Sequence, residues 1–250
     1  MAEHKFPTEV IDLPSQGKVY PKDSPLAEGK LEIKYMTTKE EDILMSENLI
    51  KKGLVIDKLL DSLIVTEGVK QENLILGDKN AALVASRILA YGPEYNVKIT
   101  NPNNRDEQIE QSFDLSKCPF KETKEDVKYD NNIFEFTTPV GKNKIKFKLL
   151  TGVEEKLIAK ELEQTAKYGL NSEITTRLRN TIIEVDGDSS KDTINSFSQN
   201  MLARDSVALR NYITDISPDI ELTQEVEIGG DTVSVPIPLT VEFFWPQSIR

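Results

Sequence analysis

The chain has 250 residues with a net charge of -11 and an isoelectric point near 4.8, and its 38% hydrophobic and 29% charged content is that of a globular protein with enough apolar material for a core. The acidic balance argues against binding phosphate backbones, which draws its affinity from clustered Lys and Arg. No apolar run approaches the length of a membrane span, Met1-Ala2-Glu3-His4-Lys5 does not begin a signal peptide, and the lone Cys118 fits a reducing compartment.

Residues 5–30 carry Pro7, Pro14, Pro21 and Pro25 with Gly17 and Gly29, too many breakers for a helix, and Val10, Ile11, Val19 and Tyr20 suit extended pieces. This stretch is expected to be an arm. Residues 31–36 alternate as a strand, and Thr37-Thr38-Lys39-Glu40 follows with the Thr-x-x-Glu spacing that opens a helix. Helical patterns run over 42–52 and 55–65, and a third is predicted from about Asn80 to Tyr91, ended by Gly92-Pro93. Strands are expected over 95–100 and 108–115 around Asn101-Pro102-Asn103-Asn104, with a charged connector over 121–128.

The last forty-odd residues are the most patterned. Leu209, Tyr212, Ile213 and Ile216 make one helical stripe with Asp205 as the expected N-cap and Ser217-Pro218 as the stop. Residues 221–228 and 232–244 then alternate around Gly229-Gly230-Asp231, the pattern of a β-hairpin.

Laid on one another, the two halves repeat this order. Leu31 to Glu41 match Ile145 to Glu155, residues 63–68 match 182–187, and with Pro93 on Pro218, Asn80 falls on Asp205 as the paired caps. Residues 113–116 match 237–240, with small insertions expected around 168–172 and 189–200. Four collinear matches point to duplication. The expected fold is therefore α+β, a tandem duplication of a strand, helices and β-hairpin module, divided as an arm (1–30), a first repeat (31–124) and a second repeat (125–250).

Catalytic motifs are sparse. With His4 the one histidine, no Ser-His-Asp or Cys-His site can be assembled inside the fold. The acidic runs Glu40-Glu41-Asp42 and Glu154-Glu155 stand where helix starts favour carboxylates. Asp186-Gly187-Asp188-Ser189-Ser190 lacks the ligand series of a calcium loop, and no phosphate-binding glycine motif occurs. No cofactor or metal is expected. The sequence suggests contact surfaces instead: Leu13, Pro14, Val19 and Tyr20 in the arm, which either straps its own domain or is donated to a neighbour's sheet edge, and Phe243, Phe244 and Trp245 at the terminus. If residues 238–245 form a strand, Phe244 shares the polar face of Thr240 and Glu242 and is exposed for a partner, although a bend that buries all three aromatics is the alternative.

The combination of Leu13-Pro14-Ser15-Gln16-Gly17-Lys18-Val19-Tyr20, residues 31–41, Leu202-Ala203-Arg204-Asp205-Ser206, Ile216-Ser217-Pro218-Asp219 and Phe243-Phe244-Trp245-Pro246 resembles the T4-type bacteriophage baseplate family, described as baseplate hub subunits or hub assembly proteins. The resemblance implies a non-enzymatic structural or assembly role with other tail and hub proteins, in the host cytoplasm during assembly or in the virion. Some relatives have hairpin turns like zinc-ribbon knuckles. Here Asn101-Pro102-Asn103-Asn104 and Glu227-Ile228-Gly229-Gly230 carry no cysteine, so the implied hairpins are ribbon-like without metal. A second reading, a small carboxylate enzyme working through Asp42 or Asp205, would need two acids converging in an apolar cleft.

Overall fold

In the computed structural model, residues 6–101, 104–123, 127–129, 131–167, 172–239 and 241–244 are described. The fold class is α+β, with helices packed against small antiparallel sheets around one continuous apolar core.

The arm opens as strand β1 (Thr8–Asp12), which pairs antiparallel with β2 (Lys30–Lys34), so that Ile11 faces Leu31. Between them residues 13–29 fold back in successive turns, with Leu13, Val19 and Leu26 buried. The backbone crosses itself closely here: a Cβ on Gly17 would lie 2.1 Å from the Ala27 carbonyl oxygen, and Gly17 has φ +76°, so a side chain is barred twice over. The arm is a strap on its own chain.

From β2 the chain enters α1 (Thr38–Leu44), α2 (Glu47–Lys51) and α3 (Val55–Leu63), with Leu59, Leu60 and Leu63 facing the core. The expected capping box is present: Thr37 and Glu40 satisfy each other's backbone groups at the start of α1. Helix α4 (Leu76–Tyr91) leads to the hairpin β3 (Glu94–Asn101) and β4 (Asn104–Asp114), whose strict alternation buries Tyr95, Val97 and Ile99. Pro102 and Asn103 of the expected turn lie outside the described residues.

The second half starts with β5 (Phe134–Thr137) and β6 (Lys144–Phe147), again an antiparallel pair joined through a proline-bearing loop. A second capping box, Thr151 with Glu154, opens α5 (Gly152–Ala166). Helix α6 (Glu173–Thr181) ends directly in β7 (Ile182–Val185), which adds to the free edge of β6. In the first half Ile64, the C-cap of α3, makes the corresponding bridge to Ile33. Helix α7 (Lys191–Asn200) occupies most of the expected insertion at 189–200, while residues 168–171 of the other lie outside the described residues. Helix α8 (Ala203–Ile216) and the hairpin β8 (Thr223–Ile228) with β9 (Asp231–Pro236) follow, turning on Gly229 and Gly230, both at positive φ.

Two expectations need correction. Helix α4 begins four residues before Asn80, and neither Asn80 nor Asp205 is an N-cap: those positions are Ile75 and Leu202. Asp78 and Asp205 instead stand third in their helices, where a carboxylate points back over the helix start and is taken up by a packed loop. Among the described residues, the expected strand also does not continue beyond Pro236. Pro236 and Pro238 cannot donate to a ladder, and residues 241–244 close into a 3-10 turn. A turn does not alternate, so Phe243 and Phe244 both point inward and Phe244 is 1% exposed rather than on a free face. Trp245 lies outside the described residues.

Candidate interaction site

One arm candidate, Tyr20, and the neighbouring Ser15 meet on a buried carboxylate. The turn at Pro14 aims the Ser15 N–H at Asp78 Oδ1 (2.9 Å), and Tyr20 donates its hydroxyl to Asp78 Oδ2 at 2.6 Å while accepting the Ile75 N–H. Burial pushes the Asp78 carboxyl above its ordinary range against the pull of these donors, and burial followed by the Asp78 charge pushes the Tyr20 phenol up. Leu13, Pro14, Val19 and Tyr20 are thereby buried within this chain.

Asp205 repeats the arrangement with backbone donors alone. The loop after β5 carries Pro139, and the Val140 and Gly141 N–H groups donate to its two carboxylate oxygens at 2.8 and 2.9 Å. Each half thus ties a Pro-x loop to the third residue of its last α-helix. Glu40 and Glu154 form a second matched pair. Burial would raise both, but Lys34, Ser62 and Thr37 bring Glu40 down to about 2, and Lys148 and Thr151 do the same for Glu154. The carboxylates Asp78, Asp205, Glu40 and Glu154 are engaged by donors of this chain, and Asp42 is exposed on α1. Asp186 and Asp188 likewise accept from Asn143, Lys144, Ser190 and Thr193. Among the described residues no three His, Cys, Asp or Glu side chains gather as a metal site.

The aromatic terminus is held by a cation. Arg87, 4% exposed, donates Nε to the Phe243 carbonyl at 2.9 Å and its other nitrogens to the carbonyls of Gly92 and Glu94. Phe243 meets Tyr95 edge-on at 5.0 Å and Phe244 at 5.3 Å. Asp78 and Arg87 are the functional-scale residues that sequence reasoning missed. The signal for Asp78 was present in Leu76-Gly77-Asp78 against Ala203-Arg204-Asp205, two residues away from the pairing that used Asn80.

Between the halves, Tyr20, Pro21, Pro25, Val69, Asn132 and Val153 are among the lining of an open groove of about 380 Å³. Its lining has no charged side chain.

The structure is that of an α+β protein whose buried acids Asp78 and Asp205 bind its own loops. Residues 6–227 match the family described as T4 bacteriophage base plate protein, and the chain belongs to that family. Neither the curated proteins nor the solved structures give a match.

Proposed function

We propose that the chain is a non-enzymatic component or assembly factor of the baseplate hub of a contractile-tailed phage, acting through protein contacts, and that it arose by tandem duplication. The family match over most of the chain carries the baseplate part of this reading. Support for duplication comes from paired geometry: two capping boxes, each with a Lys at or just past the end of the preceding strand bound to its Glu (Lys34 to Glu40 at 2.8 Å, Lys148 to Glu154 at 2.5 Å), and two Pro-x loops bonded to Asp78 and Asp205. On this geometry the repeat unit includes β1 and its loop, because β1 stands to β2 as β5 stands to β6. Partners are other tail proteins, and Trp245, an aromatic expected from the sequence as a contact residue, is assigned to partner contact.

A phage with a nonsense mutation in this chain tests the reading. Electron microscopy should then show baseplate intermediates without a completed hub, and intact baseplates would overturn it. Mass spectrometry of purified wild-type virions separates a retained component from a factor that leaves after assembly.

A further inference from the structure

Each half has a long last α-helix that begins at an apolar N-cap, Ile75 or Leu202, with similar backbone angles (φ -68°, ψ 161° and φ -60°, ψ 138°). In the first half this start is covered by the second half. The Gly152 N–H donates to the Leu74 carbonyl at 3.1 Å, Thr151 bridges to Ile75, Lys156 pairs with Glu72, and Pro218 lies over Gly77. Ile75 is left 3% exposed. The same position in the second half, Leu202, is 50% exposed, and Val140, bonded to Asp205 beside it, is 46% exposed. The complementary surface is open too: Thr38 and Pro93 are exposed where Gly152 and Pro218 are engaged.

The covered contact is heterologous, one surface against a different one, so an open copy of each surface would in principle let chains add head to tail. Two glycines decide the matter. A Cβ on Gly152 would stand 2.7 Å from the Glu72 Cα, and one on Gly77 would stand 2.0 Å from the Pro218 carbonyl oxygen. Both approaches require the absence of a side chain. The open surfaces carry Thr38 in place of Gly152 and Arg204 in place of Gly77, so a second copy of this chain cannot close the contact that the first half makes.

We infer that the start of α8, centred on Leu202, is a docking surface for a different tail protein: one that presents a strand end running into a helix with glycine at its first position, and a carboxylate toward Arg204. The inference rests on the equivalence of the two halves proposed above. Leu202 and Val140 leave an exposed apolar pair at this helix start, the covered copy shows one form of cover that fits such a start, and Arg204 sets the charge of the partner's rim.

The test turns the chain into its own partner. Wild type should sediment as a monomer up to the highest soluble concentration. Thr38→Gly with Arg204→Gly should self-associate with a dissociation constant lowered at least tenfold relative to wild type, and adding Leu202→Glu should abolish that. All three sites are exposed, and circular dichroism controls for folding. A double variant that stays monomeric overturns the docking surface, and wild type that associates through Leu202 overturns the choice of a different protein. In the phage, Leu202→Glu should cut the yield at least tenfold. Should the nonsense mutant lose baseplates while Leu202→Glu forms them normally, the hub reading stands and this inference falls; should both assemble normally, the hub reading itself fails.

Discussion

Tyr20 occupies a position where one hydroxyl does two jobs, donating to Asp78 and accepting the Ile75 N–H at the start of α4. Replacing it by Phe leaves a buried carboxylate oxygen and a buried N–H short of a partner, which costs about 1 to 3 kcal/mol per orphaned group. Urea denaturation of Tyr20→Phe should show that loss, and an unchanged midpoint would mean that the strap is not anchored at this point. The paired glutamates give the molecule its acid limit. Glu40 and Glu154 are held at about 2 against an ordinary 4.5, so the folded state binds fewer protons than the unfolded one between those values. Their stabilisation is complete above about pH 4.5 and is lost as pH falls toward 2, to the extent of about 2 to 3 kcal/mol for each. Asp78, shifted upward by burial, acts in the opposite direction and offsets part of this. Denaturation midpoints of wild type and Glu40→Gln should therefore differ at neutral pH and converge near pH 2 to 3. Parallel curves over the whole range would remove Glu40 from the acid limb.

At the scale of elements, the capping boxes at Thr37 and Thr151 and the Gly229-Gly230 hairpin were legible because each is written in residues that touch one another along the chain. The α4 start was not, because its determinant is tertiary: Asp78 looks like an ordinary first-turn acid until the loop of Ser15 and Tyr20 arrives from some sixty residues away. The terminal turn was hidden for the same reason. Alternation predicts an exposed Phe244, but Arg87, 156 residues earlier, captures the Phe243 carbonyl and allows both rings to enter the core. Phe244→Ala should consequently destabilise the isolated protein by about 3 to 5 kcal/mol, as a buried aromatic does, and a loss under 1 kcal/mol in thermal or chemical unfolding would return Phe244 to the surface. Gly77→Ala has a different signature. Its methyl would press on the Pro218 carbonyl, prising α4 from the second half at a cost of about 1 to 3 kcal/mol or more, whereas Ala at Gly187, with no atom within 4 Å, meets only the strain of its φ of +89°.

For the molecule as a whole, the question is whether the two halves fold as independent beads or as one body. The contacts between them are of core quality. Gly152 and Gly77 bring backbone against backbone, Phe120 bridges to Ile220, Glu221 donates to the Pro119 carbonyl, and Gln224 binds Asp114 across the connector. More telling is Phe243, which belongs by sequence to the second half and is fixed by Arg87 and Tyr95 of the first. Removing the second half would expose Leu74, Ile75 and Tyr95 together and leave the Arg87 guanidinium without the Phe243 carbonyl, and each large apolar side chain returned to water costs about 1.5 to 3 kcal/mol. Those losses rival the whole stability of a domain this size, about 5 to 15 kcal/mol. Residues 1–124 expressed alone should therefore show no cooperative thermal transition, while co-expression with residues 125–250 should restore one, together with the near-ultraviolet signal of packed aromatics. A first half that melts cooperatively on its own, near the temperature of the full chain, would show instead that the duplication left two self-sufficient units joined by a dispensable interface.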